Sequence, residues 1–290
     1  MRPNWLENSP LDRLATLRLD ADEVEALWRD ESSRVLPLVG GKHVMDGEGP
    51  RSYAPSEVDP DEVQDRILLG RWDGRAWFGC RLPESGFPGE SLQDLRFVGP
   101  RQPAPMASLL ALAKALSHWH EKHRFCGACG TGTESADGGY RRRCPRCRSD
   151  EHPRVDPAII VLVHNGDRCL LARSPRFPPR MLSTLAGFAE PAESLEDCVA
   201  REVKEEVGLE VDEICYGSSQ PWPFPQSLMI GFWASTRQEA LSLDEKEIEE
   251  ARWVEREALR APERLEDFTI PPRFAIARRL IQTWVDEAIP

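Results

Sequence analysis

Three glutamates, Glu202, Glu205 and Glu206, stand at i, i+3 and i+4 in the run AREVKEEVGL. If that run is a helix, their carboxylates share one face. Three such charges repel one another unless cations lie between them. Carboxylate oxygens are hard ligands suited to Mg²⁺ or Mn²⁺, and these ions also bridge diphosphate oxygens and offset the charge that builds as water attacks phosphorus. The bland alternative is an acidic solvated helix face on which Lys204 and the glutamates trade salt bridges.

That alternative leaves the surroundings of the three glutamates unexplained. Residues 187–209 read G-x5-E-x7-R-E-U-x-E-E-x-G-U, with U a bulky aliphatic residue, at every specified position: Gly187, Glu193, Arg201, Glu202, Val203, Glu205, Glu206, Gly208 and Leu209. Ser194 is a fitting helix cap, and Leu195, Cys198, Val199 and Val203 form a stripe to bury. Arg201 is expected to pair with Glu193 and orient it, while Gly187 and Gly208 let the chain turn sharply on either side of the helix.

A second cluster has the chemistry of sulfur. Cys126-Gly-Ala-Cys129 and Cys144-Pro-Arg-Cys147 are two C-x2-C pairs with fourteen residues between them, the spacing of a four-thiolate zinc site. Four thiolates close the tetrahedron, so such a site holds structure and leaves no position for catalysis. The competing reading is four unconnected core thiols. Arg141, Arg142, Arg143, Arg146 and Arg148 make this segment basic, and His118, His120 and His123 just before it read as helix-surface residues.

The remaining elements must position these two clusters. With 290 residues, 40% of them hydrophobic, the chain has material for about two domain-sized cores. A formal net charge of -12 excludes a protein that coats nucleic acid with a basic stripe, and means that a small anionic substrate needs bound cations. The other four of the eight cysteines, Cys80, Cys169, Cys198 and Cys215, are scattered among apolar neighbours, a pattern of reduced thiols and not of disulfides. No apolar run approaches the ~20 residues that span a bilayer, and the start MRPNWLENSPLDRL lacks the apolar core of a leader. The expected address is the cytoplasm, with no membrane partner.

Residues 1–123 read as an α/β domain with a hairpin turning at Asp73-Gly74 and a helix over MASLLALAKALSHWHEKH; residues 124–152 are the zinc ribbon. In residues 153–290 a hairpin at Asn165-Gly166, a short strand STLAGFA, a helix from Ser194 to Val207, three more strands and a final helix with Pro272 near its start indicate an α/β sandwich. The fold class is therefore α/β, an α/β/α sandwich with a zinc ribbon and an amino-terminal α/β domain.

The glutamate box resembles that of the Nudix hydrolases. Together with the zinc ribbon upstream and the block Ser219-Gln220-Pro221-Trp222-Pro223-Phe224-Pro225-Gln226-Ser227 downstream, it is similar to the NADH pyrophosphatase branch of that family over roughly residues 124–285. The resemblance implies hydrolysis of NADH or NAD⁺ to nicotinamide mononucleotide and AMP, with Zn²⁺ in the ribbon and Mg²⁺ or Mn²⁺ at the glutamates. It assigns Glu202 and Glu206 as main metal ligands, Glu205 as a further ligand or the water-activating base, the Ala186 carbonyl as a ligand from the loop, and Glu247 as a carboxylate joining from outside the helix. It places Phe188 on the nicotinamide ring, residues 220–227 along the dinucleotide, and Ala277 at a backbone contact with substrate. Trp222 and Phe224 would equally serve as a strand cap packed into the core. His152 stands where the family commonly has a ligand-facing tyrosine from the partner subunit, replacing that ring with a titratable one. Arg96 is taken as a basic contact to the distal phosphate on no sharper motif than its charge.

The resemblance further implies a homodimer and the removal of NAD caps from RNA 5′ ends, for which the arginine-rich knuckle would be a rail. The alternatives are an ADP-ribose or general nucleoside-diphosphate hydrolase, which does not need the 219–227 block, and, in a different class, a zinc-ribbon nucleic-acid adaptor, which does not need the glutamates.

Overall fold

The computed structural model describes residues 6, 9–47, 49–84 and 91–286. Most of the first residues, read above for a leader, lie outside the described residues, as do both ends of the expected domain spans. Contacts divide the described residues into two units: those up to Arg154 with Pro223–Gln226, and Val155–Trp222 with those from Ser227 onward.

In the amino-terminal unit, Asp20 caps α1 (Ala21–Arg29) by accepting from the N–H groups of Asp22 and Glu23. Strands β1 (Arg34–Val39), β2 (Lys42–Asp46), β3 (Gly49–Pro50), β4 (Gln64–Trp72), β5 (Arg75–Arg81) and β6 (Ser91–Gln93) form one sheet. Its order is β3-β2-β1-β5-β4, with β6 on β2. The hairpin between β4 and β5 turns at Asp73 and Gly74, both at positive φ (52° and 72°), as a two-residue turn that follows strand twist requires. After the short α2 (Leu95–Val98), α3 (Ala104–Lys122) lays Leu109, Leu110, Ala113 and Leu116 on one face of the sheet, against Leu36, Leu38, Ile67 and Leu69. The alternate residues Val35, Val39, Leu68 and Phe78 face the other way and pack with Val24 of α1, the period-two division expected of a strand.

Strands β7 (Glu134–Ala136), β8 (Arg141–Arg143) and β9 (Asp150–Glu151) make the small antiparallel sheet of the ribbon. Here the structure corrects the sequence reading of His120. It is fully buried, not on the helix surface. Its Nε2 lies 2.8 Å from the Gly139 carbonyl and its Nδ1 2.8 Å from Arg142; since Arg142 must donate, Nε2 carries the proton and the ring is neutral. Burial first, together with the charge of Arg142, pushes its pKa down to about 4, against the opposing pull of Asp65. Asp65 in turn holds both Arg81 (2.5 Å) and Arg142 (3.1 Å).

The carboxy-terminal unit is a three-layer sandwich. Strands β10 (Asp156–Asn165), β11 (Arg168–Arg173), β12 (Leu185–Phe188), β13 (Ile214–Trp222), β14 (Ser227–Ser235) and β15 (Glu250–Glu255) run in the order β13-β14-β10-β11-β15, with β12 on β10. Helix α4 (Leu195–Val207) covers one face through Cys198, Val199 and Val203, against Ile159, Val161 and Val163 of β10. Helix α5 (Ile276–Val285) covers the other through Leu280, Ile281 and Trp284, against Ile160 and Leu162. The near-continuous apolar run of β10 follows from burial on both faces. Helix α5 begins later than Pro272 suggested: Pro272 opens a turn closed by the Ala275 N–H (2.9 Å), and the helix starts at Ile276.

Candidate active site

Helix α4 is set by local signals. Ser194 Oγ accepts from the Asp197 N–H (3.1 Å), and Gly208 ends the helix at φ 74°. A left-handed C-cap of this kind is where glycine costs least. Gly187 does not work that way. It lies inside β12 opposite Ile159, without positive φ, and a β-carbon there would overlap the carboxylate of Glu202. The turning role expected of it is corrected to a steric one: bare backbone leaves room for Glu202.

Around this notch the acidic residues differ in environment. Glu202 and Glu206 are buried, whereas the Glu205 side chain is 60% exposed. Burial, then the charges of Glu202, Glu247 and Glu205, pushes the Glu206 carboxyl up to about 8. Burial also raises Glu202, against the opposing pull of Arg201. Glu247 reaches this cluster because its loop hangs on the helix end: the Asp244 N–H donates to the Glu206 carbonyl (3.1 Å) and the Glu247 N–H to the Asp244 carbonyl (3.0 Å). Its neighbours Glu249 and Glu250 are held elsewhere, by Arg173 (3.4 Å) and Arg252.

Arg201 ties the loop to the helix. Its guanidinium grips Glu193 with two parallel bonds (2.7 and 2.9 Å), reaches Glu202 and Glu205 (2.9 Å each), and donates to the Phe188 carbonyl (3.0 Å). The bond from Arg201 and the Glu190 N–H hold Glu193 down at about 2. Phe188, at the end of β12 and paired with Ala158, is 60% exposed. Ala186, two residues earlier, is exposed as well.

The donor set fits hard divalent cations. Glu206 Oε2 is buried with no hydrogen-bond partner, a costly state for a carboxylate oxygen unless a cation or a proton meets it. The thiol cluster fits zinc more tightly. Among the described residues, Cys126, Cys129, Cys144 and Cys147 form the group whose ligand atoms all lie within 4.8 Å of one another. The two knuckles are built alike: the Gly130 and Arg148 N–H groups close turns on the Cys126 and Cys144 carbonyls (2.9 and 3.0 Å), both at positive φ. Four cysteines in this frame are a zinc-ribbon site.

Other expected site residues are distributed between the units. Gln220 is fully buried, and its amide donates to the Phe274 carbonyl and accepts from the Ile276 N–H (2.8 Å each). It fixes the start of α5, where Ala277 is also buried. Pro221 and Trp222 end β13, an outer strand that tolerates proline, and Ser227 begins β14. Pro223, Phe224, Pro225 and Gln226 belong by their contacts to the amino-terminal unit, as do Arg96 and the exposed His152. Of the five ribbon arginines expected as a rail, Arg141 and Arg143 pair with Asp150 and Arg142 with Asp65, which leaves Arg146 and Arg148 exposed. The sequence reading missed the steric duty of Gly187 and the tie from Asp244 to α4. Neither has a local signature, because each is a contact between distant parts of the chain.

Comparison with known proteins places these features. A family model described as the NUDIX domain matches residues 154–274, one described as the NADH pyrophosphatase zinc ribbon domain matches 121–151, and one described as an NADH pyrophosphatase-like rudimentary NUDIX domain matches 32–119. The NAD-capped RNA hydrolase NudC of Stutzerimonas stutzeri (strain A1501) is 42% identical over 218 residues, covering 75% of this chain and 76% of that protein. The protein of the same name from Mycobacterium bovis (strain BCG / Pasteur 1173P2) is 37% identical over 294 residues, covering 94% and 92%. Among solved structures, a NUDIX hydrolase from Nitrosomonas europaea aligns with a TM-score of 0.46 and 20% identity over 57% of this chain and 91% of that one.

Proposed function

Because the chain belongs to the Nudix hydrolases, in the branch that carries the NADH pyrophosphatase zinc ribbon, we propose that it hydrolyses the pyrophosphate bond of NADH and NAD⁺. The products are nicotinamide mononucleotide, reduced or oxidised, and AMP. The observation that carries the reading is the buried Glu206 carboxylate with an unpartnered oxygen, set among Glu202, Glu205 and Glu247 beside the Gly187 notch.

Glu202 and Glu206 would hold Mg²⁺ or Mn²⁺, with Glu205, Glu247 and the Ala186 carbonyl as the candidate further ligands. An ion held there would supply charge neutralisation of the diphosphate as water attacks. Arg201 and Glu193 keep the loop and the helix in register, so the carboxylates meet the diphosphate already oriented. Glu205 is bonded to Arg201 through Oε2, which leaves its other oxygen either to join the metal ligands or to take the proton of the attacking water. Phe188 stacks on nicotinamide, residues 220–227 and Ala277 shape the dinucleotide site, and His152 faces the ligand from the partner subunit of a homodimer. The three-part division at residues 1–123, 124–152 and 153–290, a cytoplasmic address and action on NAD-capped RNA belong to the same reading. The names of the two NudC relatives support the RNA activity. No helix among the described residues is long and apolar enough to cross a membrane.

The test is one preparation assayed on NADH, NAD⁺, ADP-ribose and NAD-capped RNA with Mg²⁺ or Mn²⁺. The expected result is AMP and nicotinamide mononucleotide from the dinucleotides and a 5′-monophosphate end on the RNA, at efficiencies above that for ADP-ribose. A higher efficiency on ADP-ribose would favour the general hydrolase.

A further inference from the structure

Glu247 is exposed and belongs to no helix or strand, yet its charge is felt at both Glu206 and Glu202. Its own side chain is not packed, so the backbone that carries it must do the holding. The last carbonyls of a helix have no partner within it, and at the end of α4 the following loop supplies donors. The Ser242 N–H donates to the Val207 carbonyl (3.0 Å) and the Asp244 N–H to the Glu206 carbonyl (3.1 Å). Glu206 thus gives its side chain to the site and its backbone to the loop that brings Glu247.

From that bond the chain turns at once. Asp244 Oδ1 accepts from the Lys246 N–H (3.0 Å), and the Asp244 carbonyl accepts from the Glu247 and Ile248 N–H groups (3.0 and 2.9 Å). A side-chain oxygen that bonds the backbone N–H two residues on makes an Asx turn, for which aspartate and asparagine are both suited. Just beyond Glu247, Ile248 is buried in the same core cluster as Val203 and Val207 of α4. Glu247 is therefore fixed on both sides, and both anchors lie on the helix that carries Glu202 and Glu206. Asp244 is itself exposed, so removing its carboxylate loosens the turn without opening the core.

We propose that Asp244 is a positioning residue: its Asx turn, hung on the Glu206 carbonyl, sets Glu247 against Glu202 and Glu206 before a divalent cation arrives. The proposal rests on the reading of these glutamates as the site of Mg²⁺ or Mn²⁺. Asp244 acts through Glu247 and by its hydrogen bond, not by its own charge. Asparagine can therefore replace it, and alanine cannot.

The test is Mn²⁺ binding to the full zinc-loaded chain without substrate, read from the free ion by electron paramagnetic resonance, with Glu206→Gln as the blank for other acidic groups. Asp244→Ala is expected to weaken binding about fivefold, the effect of one lost hydrogen bond, with Tm close to that of the wild type. Asp244→Asn keeps the acceptor oxygen and should bind as the wild type does. Adding Asp244→Ala to Glu247→Gln should cost nothing further, since residues that act as a unit are not additive. Wild-type affinity in Asp244→Ala or in Glu247→Gln overturns the proposal. So does an Asp244→Asn as weak as Asp244→Ala, which would assign the effect to charge, or full additivity in the double variant. Binding that Glu206→Gln leaves intact would overturn the glutamate site along with it. The expected pattern in a chain that releases no AMP from NADH would uphold the role of Asp244 and remove the dinucleotide reading instead.

Discussion

The Glu202 carboxylate occupies the space that a β-carbon on Gly187 would need. Strand β12 and helix α4 are therefore in contact at the very carboxylate that the site requires. Gly187→Ala should push Glu202 aside while leaving the strand pairing intact. Since a misplacement of about 1 Å at a reacting centre costs on the order of a hundredfold, we expect NADH hydrolysis to fall by roughly that factor, with a higher demand for Mg²⁺ and a small change in Tm. Normal activity at ordinary Mg²⁺ would show that Glu202 need not sit where it does.

The raised pKa of Glu206, about 8, has a consequence for stability. The folded value lies above the ordinary value of 4.5, so the folded chain holds this proton more tightly than the unfolded one. The stabilisation is complete below pH about 4.5 and is lost as pH rises through about 8. Without catalytic cations, Glu206→Gln should therefore gain Tm over the wild type as pH goes from about 5 to about 8, by an amount equivalent to a few kcal/mol at most. Adding Mg²⁺ should raise the wild-type Tm and leave the variant nearly unmoved. Parallel curves of Tm against pH for the two proteins would mean that Glu206 is not strained by burial.

For the ribbon, elemental analysis should find one tightly held zinc per chain. Cys126 is buried, and Cys126→Ser is expected to lose the metal and fold poorly before any specific chemical defect appears. A well-folded, active sample without zinc would contradict this.

Phe188 is anchored through its backbone, by Ala158 and Arg201, while its ring is largely exposed. An aromatic stack on a base-like ring contributes roughly 1–3 kcal/mol. Phe188→Ala should accordingly lower kcat/KM on NADH by about one to two orders of magnitude and spare ADP-ribose. An equal loss on both substrates would remove nicotinamide from the assignment.

What the sequence made legible is local in the chain. The cap at Ser194, the stripe of α4 and the left-handed Gly208 are encoded within one segment, and each cysteine knuckle within a few residues. Glu247 was harder to read, since four acidic residues compete for its register until the Asp244 N–H is seen to bond the Glu206 carbonyl. His120 was misread because a histidine on an alanine-rich helix carries no sign that Arg142 will bury against it. The 220–227 block reads as one motif, yet Gln220 supports the start of α5 while Phe224 packs with the amino-terminal unit.

If the buried carboxylate of Glu206 holds the catalytic cation, hydrolysis of the dinucleotide should depend on its charge. The most direct measurement is the rate of AMP release from NADH at saturating Mg²⁺ or Mn²⁺, wild type against Glu206→Gln, with circular dichroism confirming the same fold. Gln keeps the shape and removes the charged ligand, so a loss of several orders of magnitude is expected. Turnover within a few-fold of wild type would contradict it.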